Sequence, residues 1–285
     1  MIRSDVGMAF DPARLLALPP IETRHAFSRR DTILYALGVG VSDLPFVYEE
    51  GLRALPTMAV ILGYPGFIWR DPAYGCDWTR ILHGETTIEL SGELPVEGEV
   101  TGLTRFLAVD DKGAAKGAAV FLSRQVIDSA GTLLATVRNT SFLRGDGGCG
   151  SAGQVPAPGV GVPDRVPDRV EKSTTAANQS LIYRLSGDLN PLHVDRRIAA
   201  EAGFDRPILH GLCTYGVVGR ALLSALCDDR PERMRRLGCR FTSPVFPGET
   251  IETRIWYVAP GQAAFQARVV ERDIIVLANG IAETA

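Results

Sequence analysis

Residues 211–227 read GLCTYGVVGRALLSALC, with Arg220 as their one charged residue. A helix built from this stretch would be apolar on nearly every side, so we expect other elements to enclose it. Gly216 and Gly219 would let a sheet approach its backbone closely. Strand-like runs follow at 238–243, 250–258, 263–271 and 274–283. A buried helix followed by successive strands predicts an α+β fold, in which a curled antiparallel sheet wraps the helix.

A weaker copy of this arrangement precedes it, with strand-like runs at 81–91, 96–109, 115–128 and 132–144. ILYALG at 33–38 is similar to LIYRLS at 181–186, where we expect a short helix over 177–186, and VEGEV at 96–100 is similar to FPGET at 246–250. Two similarities in the same order and at nearly the same spacing indicate a duplication. The first-half counterpart of the central helix, Thr57 to Tyr64, is short and ends at Pro65-Gly66. We therefore expect a remodelled copy that gives room to a ligand.

The two halves are joined by GDGGCGSAGQVPAPGVGVPDRVPD at 145–168, a stretch rich in Gly and Pro that has no useful periodicity. We interpret it as a linker. The predicted organisation is one domain over 1–144, the linker, and a second domain over 169–285.

Composition excludes several classes of partner. Lys and Arg total 30 against 33 Asp and Glu, without long blocks of either sign, so neither nucleic acid nor a membrane surface is an expected partner. The longest apolar stretch, 211–219, is too short to span a bilayer. Five scattered cysteines without C-x-x-C spacing argue against a disulfide framework or a zinc site and favour the reducing cytoplasm.

Residues 183–195 read YRLSGDLNPLHVD, the densest polar cluster in an apolar region. Gly187 can end the preceding helix in a left-handed conformation, and Pro191 favours a turn. Asp188 and His193 are five positions apart, so a straight helix would point them to different faces, whereas a turn can aim both at one spot. A carboxylate and an imidazole with a common target can deprotonate a water and return a proton to carbon.

A structural role is an alternative interpretation of the same residues. Asp188 can cap the turn, His193 can be a core histidine with satisfied hydrogen bonds, and Gly-Asp-x-Asn-Pro is typical of turns without catalytic meaning. Gly211, directly after Ile208-Leu-His210, is placed to begin the buried helix. Its amide would lack an intrahelical partner and could meet a thioester oxygen, although a glycine there is also explained by close packing alone.

Two separate motifs carry a family resemblance. YRLSGDLNPLH at 183–193, followed by FDRPILHGLCT at 204–214, resembles the hydratase 2 motif of MaoC-like dehydratases, above all the (R)-specific enoyl-CoA hydratase unit of peroxisomal multifunctional enzyme type 2. RDTILYALGVG at 30–40, LHGE at 82–85 and FLRG at 142–145 resemble the amino-terminal hotdog of that family. The resemblance therefore covers essentially the whole chain.

The resemblance implies a double hotdog that hydrates trans-2-enoyl-CoA to (3R)-3-hydroxyacyl-CoA, with a catalytic second half and a degenerate first half that accommodates the acyl chain. By the same resemblance, Asp188 and His193 form the acid-base pair, Asn190 orders the loop or the water, and Gly211 supplies the oxyanion N–H. Supporting contacts to substrate are expected from Ser186, His210 and His83. No metal or redox cofactor is implied, coenzyme A is part of the substrate, and a homodimer is expected. A hotdog acyl-CoA thioesterase and a non-catalytic acyl-CoA-binding protein are the alternatives.

Overall fold

The computed structural model describes residues 9–157 and 159–285. The first eight residues of the predicted amino-terminal domain and Pro158 of the predicted linker lie outside the described residues. The strands are β1 (Ile21–Phe27), β2 (Ile81–Leu90), β3 (Gly98–Asp111), β4 (Ala118–Asp128), β5 (Leu133–Leu143), β6 (Ala152–Gly153), β7 (Arg169–Thr174), β8 (Met234–Phe241), β9 (Thr250–Ala259), β10 (Gln262–Val269) and β11 (Ile274–Thr284). The α-helices are α1 (Pro12–Leu16), α2 (Arg29–Gly38), α3 (Leu44–Val47), α4 (Gln179–Tyr183), α5 (Arg196–Glu201) and α6 (Gly211–Cys227). Short 3-10 helices lie at Pro56–Val60, Ile68–Arg70, Pro72–Tyr74, Trp78–Arg80, Arg184–Ser186, Pro191–His193 and Pro231–Arg233.

The strands form one antiparallel sheet in the order β1-β3-β4-β5-β2-β8-β11-β10-β9-β7, with β6 paired to β3. The order on one side of the β2–β8 seam repeats on the other: β2, β5, β4, β3 and β1 correspond to β8, β11, β10, β9 and β7. The seam itself pairs five residues of each strand, from Glu85↔Arg240 to Glu89↔Arg236. This repeated topology confirms the predicted α+β double hotdog and supports the duplication.

The central helix α6 has the predicted bounds, Gly211 to Cys227, and most of its side chains are buried. The expectation that a sheet would approach its glycines holds in part, because a Cβ on Gly219 would lie 3.3 Å from Leu237 of β8, but it is wrong for the closest contacts. A Cβ on Gly216 would lie 2.4 Å from the Val39 side chain, and one on Gly219 would lie 2.4 Å from Thr57. Both neighbours belong to the first half of the chain, so the glycines of α6 admit segments of the other hotdog.

In the described part of the first half, residues 9–144, there is no long counterpart of α6. Its central segment is the five-residue 3-10 helix Pro56–Val60, in agreement with the expected short copy. In the second half, the expected helix over 177–186 is an α-helix only over Gln179–Tyr183 and continues as a 3-10 turn to Ser186.

The predicted linker is not free of structure. Ala152–Gly153 pairs with β3, and Arg165 is held by Asp168 at 2.7 Å. The sequence also did not predict the outermost strands β1 and β7. The domain boundaries themselves stay a prediction.

One apolar core runs through both halves. Its buried members include Tyr35 of α2 and Tyr183 of α4, which occupy corresponding places in the two copies, and their rings lie 6.1 Å apart. Among the helices of the described residues, none combines the length and apolar character needed to cross a membrane.

Candidate active site

The motif over 183–195 folds as a tight turn between α4 and α5. Gly187 is left-handed, with φ of 112°, and ends the 3-10 helix Arg184–Ser186. The carboxylate of Asp188 accepts a hydrogen bond from the Asn190 N–H at 3.2 Å. The Asn190 side chain in turn accepts from the Leu192 N–H at 3.1 Å and caps the 3-10 helix Pro191–His193. The sequence therefore specifies two successive side-chain caps that bend the chain.

The turn brings Asp188 and His193 together, and His210 joins them from the start of α6. One carboxylate oxygen and one ring nitrogen from each histidine all lie within 4.8 Å of one another. Both histidines are buried, with 8% and 1% of their surface exposed, whereas Asp188 is half-buried. The predicted convergence of Asp188 and His193 is thus present in the structure.

His193 is held in one tautomer. Its Nδ1 lies 2.9 Å from the Ile208 carbonyl oxygen, which can only accept, so Nδ1 carries the hydrogen and Nε2 keeps a free lone pair. Burial lowers the pKa of His193, while the Ile208 hydrogen bond and the Asp188 carboxylate act in the opposite direction. At neutral pH the ring is therefore uncharged and can accept a proton at Nε2.

His210 stacks on His193, with ring centroids 3.6 Å apart and planes 26° apart. Its Nε2–H donates to the backbone carbonyl of Asp188 at 3.2 Å, so one ring contacts both members of the predicted pair. Burial, with help from His193, lowers the pKa of His210 to about 3. Because lone pairs lie in the ring planes, two nearly parallel stacked rings do not direct them to one metal centre.

Gly211 is the first residue of α6, where the amide has no acceptor within the helix. A Cβ at this position would lie 3.3 Å from the ring of Phe241. The same ring meets His83 of β2 edge-on, with centroids 5.0 Å apart. His83 thus reaches the site from the first half through Phe241, and its Nε2 is hydrogen-bonded to Thr86.

Ser186, the remaining predicted site residue, lies just before the turn. Ser186 ends the 3-10 helix before Gly187, and its hydroxyl is buried without a hydrogen-bond partner among residues 9–157 and 159–285. Reasoning from the sequence missed Ile208, whose backbone fixes the His193 tautomer, and Phe241, which packs on the helix start. The role of a backbone carbonyl cannot be recognised from a pattern of side chains. The sequence predicts Phe241 only as part of a strand and does not predict its contact with the start of α6.

Comparisons with known proteins match both halves of the chain to related families. Residues 25–145 match the MFE-2 hydratase 2 N-terminal domain, and residues 160–279 match the MaoC like domain. The chain is 42% identical to 3-hydroxyacyl-thioester dehydratase Y of Mycobacterium tuberculosis, over 97% of this chain and 99% of that protein. It is 36% identical to a peroxisomal enoyl-CoA hydratase 2 of Arabidopsis thaliana, over 95% of this chain and 94% of that protein.

A solved structure is similar over nearly the full length. The crystal structure of a MaoC-like dehydratase from Phytophthora capsici matches with a TM-score of 0.89 and 36% identity, covering 96% of this chain and 98% of that one. Matches at this identity and coverage extend through both hotdogs. The chain belongs to the MaoC-like dehydratases and, within them, to the hydratase 2 proteins related to peroxisomal multifunctional enzyme type 2.

Proposed function

We propose that this chain catalyses the reversible hydration of trans-2-enoyl-CoA thioesters to (3R)-3-hydroxyacyl-CoA. The observation that carries the proposal is the single turn that holds Asp188 and His193 within 4.8 Å of one another, next to the amide end of α6. The family and the names of the relatives support the same activity.

In the proposed reaction, a water bridges the Asp188 carboxylate and His193 Nε2, whose tautomer the Ile208 carbonyl fixes. The water attacks C3 of the enoyl thioester, and C2 receives a proton from the same side. The carboxylate and the imidazole act as one acid-base unit. In the reverse direction a (3R)-hydroxyacyl-CoA loses water along the same path.

The remaining residues are proposed to position the reacting groups. The Gly211 N–H stabilises the thioester oxygen as it gains enolate-like charge, because it sits at the positive end of the helix dipole. Asn190 orders the turn, and His210 orients both Asp188 and His193. His83 and Ser186 line the path of the substrate. The proposed chemistry requires neither metal nor redox cofactor.

The test follows the loss of conjugated thioester absorbance with crotonyl-CoA and a longer enoyl-CoA, with chiral analysis of the product. We expect Asp188→Asn and His193→Gln each to lower turnover by at least about a hundredfold, as for removal of a general acid or base. Asp164→Asn, which makes the same chemical change at an exposed residue, is the control. An (S)-hydroxy product, or full activity in Asp188→Asn, would contradict the proposal.

The same assay separates the alternatives. A thioesterase would release free thiol from saturated acyl-CoA, because it directs water to the carbonyl carbon. A non-catalytic binding protein would leave the enoyl-CoA absorbance unchanged even at excess protein. We expect neither outcome.

We further propose that the enzyme acts in fatty acid β-oxidation in the cytoplasm as a homodimer. The five cysteines are all free, which fits a reducing compartment. The relative from Arabidopsis thaliana is named peroxisomal, so imaging of the tagged protein is the direct test. Light scattering that gives about twice the 30.7 kDa chain mass would support the dimer.

A further inference from the structure

Arg124 is a buried cation on β4, with 2% of its surface exposed. Within residues 9–157 and 159–285, no carboxylate lies at ion-pair distance from it. Burial lowers its pKa to about 10, so the guanidinium still carries its charge at neutral pH. The Tyr64 ring, 5.4 Å from the guanidinium carbon, makes a cation–π contact with this charge. Burying a charge without a carboxylate partner is still costly, and such a group is expected to have a function or a missing partner.

The hydrogen bonds of one guanidinium nitrogen have a structural explanation. One terminal nitrogen, Nη2, donates to the carbonyls of Ala59 and Val60 at 3.3 and 2.6 Å. These carbonyls end the short 3-10 helix Pro56–Val60, where a longer helix would have satisfied them. The Nε–H is buried as well, and it has no hydrogen-bond partner in the described part of the chain. Arg124 therefore caps the short helix through Nη2, while its buried Nε–H has no acceptor among the described residues.

The other hotdog shows that the fold does not require a cation here. β10 occupies the place in the second half of the sheet that β4 occupies in the first. Its inward side chains are apolar, buried and part of the same core as α6: Ala263, Phe265, Ala267 and Val269. The charge is specific to the half whose central helix is short, which is the half expected to hold the acyl chain.

The repeat also relates Arg124 to the reacting groups. The loop Val39–Asp43 after α2 corresponds to the catalytic turn after α4, and it lines a cavity with Val217 and Arg220 of α6. By the same relation, we infer that the catalytic turn faces the counterpart of α6, which is the segment from Pro56 to Tyr64. An acyl chain attached to a thioester at Gly211 would therefore run toward this segment.

Tyr64 lies beside Arg124 and is also influenced by the charge of Asp188. Its ring centre lies 5.4 Å from the guanidinium carbon of Arg124. Desolvation raises the pKa of Tyr64 to about 12, the Asp188 carboxylate adds to the rise, and the Arg124 guanidinium opposes it. The Tyr64 hydroxyl is thus within electrostatic range of both the proposed catalytic carboxylate and the buried cation.

We propose that Arg124 binds a carboxylate at the far end of the acyl chain, so that preferred substrates are trans-2-enoyl-CoA thioesters with a second, remote carboxylate. The planar guanidinium presents N–H donors in a geometry that matches a carboxylate, and a charge-assisted pair would supply the missing partner. The proposal rests on the hydratase function and adds a substrate class to it.

The experiment compares matched enoyl-CoA thioesters of six, eight and ten carbons that end in either a methyl group or a carboxylate. For the wild type, we expect kcat/KM to favour the carboxylate at one or more lengths by about tenfold or more, as for a hydrogen bond to a charged group. In Arg124→Met, which keeps a long side chain without charge, the ratio of kcat/KM for the carboxylate substrate to kcat/KM for the methyl substrate should fall to one or below at every length. Arg124→Lys should retain part of the preference.

Arg105→Met is the matched control, because Arg105 is exposed on the neighbouring strand β3, and its ratio should equal that of the wild type. A ratio measured on one sample does not depend on the fraction of active protein, so lost stability cannot mimic the result. If Arg124→Met does not fold, Arg124→Gln, whose amide can still reach a carbonyl, replaces it. A wild-type preference for methyl at all lengths, or an unchanged ratio without Arg124, would overturn the proposal.

A binding experiment separates this proposal from the hydratase function. Saturated CoA thioesters with a terminal methyl or carboxylate cannot be hydrated, and their affinities can be measured by calorimetry. Tighter binding of the carboxylate form to the wild type but not to Arg124→Met would support the role of Arg124 even if no enoyl-CoA were hydrated. Hydration of crotonyl-CoA with equal affinities for the two saturated thioesters would support the hydratase alone and overturn the role of Arg124.

Discussion

At the scale of single residues, the site depends on two histidines kept neutral by burial. His193 needs a free lone pair at Nε2, and its neighbour His210 packs face to face at 3.6 Å. Protonation of His210 would place a positive charge against the ring that must accept a proton. The low pKa of His210, about 3, removes this conflict over the physiological range.

The buried His210 makes folding stability depend on pH. An unfolded histidine takes up a proton near pH 6.5, whereas folded His210 does so only near pH 3, so the unfolded state binds more protons in between. Its contribution is complete above pH 6.5 and is lost as the pH falls toward 3. His210→Phe keeps a stacked ring without this titration. Urea denaturation at pH 7.5, 6 and 5 should show a shallower loss of stability in the variant, by up to about 1.4 kcal/mol per pH unit. Equal slopes would contradict the assignment.

Whether a residue's role can be predicted from the sequence depends on whether that role follows from its neighbours in the chain or from tertiary packing. Asp188, His193 and Gly211 follow from motifs, because their spacing within a Gly/Pro turn and before an apolar helix is visible in the chain. Arg124 does not, because an arginine in an alternating strand normally faces solvent. Its burial follows only from the shortened helix above it, which is a tertiary property.

At the scale of elements, the sequence predicts both ends of α6 correctly but does not predict the outer strand β7. The helix is apolar on nearly every side, and the second-half strands that follow it are rich in β-branched and apolar residues. Residues 169–174 read RVEKST and alternate between half-buried and exposed positions, as an edge strand does. A charged strand without an apolar face is indistinguishable from a loop until its partner β9 is known.

Close contact between α6 and the first half predicts the effect of filling a helix glycine. Gly216→Ala would normally stabilise a helix by about 1 kcal/mol, but its Cβ would lie 2.4 Å from Val39. We expect a net loss of about 1–3 kcal/mol in the free energy of unfolding, as in other overpacked cores. Ser224→Ala, in the last turns of the same helix, is the control and should change stability little. Adding Val39→Ala should recover part of the loss, whereas a stabilised Gly216→Ala would show that the contact is not close.

At the scale of the whole molecule, the two hotdogs share both a sheet and a core. β2 and β8 pair directly across the seam, and the main apolar core includes buried residues of both halves. The central helical segment of each copy is covered by the other copy. Val39 and Thr57 of the first half pack on Gly216 and Gly219 of α6. The site is divided in the same way, with His83 and Tyr64 on one side and the catalytic turn on the other.

This shared architecture predicts that the halves unfold as one cooperative unit. Trp69 and Trp78 report on the first half and Trp256 on the second, so fluorescence can follow each half separately. In Trp256→Phe, and in the double variant Trp69→Phe/Trp78→Phe, the urea midpoint from fluorescence should coincide with the midpoint of the same variant from circular dichroism. If the hotdogs were independent, circular dichroism would show two steps, and each tryptophan set would follow only one of them. The seam hydrogen bonds and the common core make separate melting costly, because either half alone would expose an open sheet edge and the apolar surface that its partner covers.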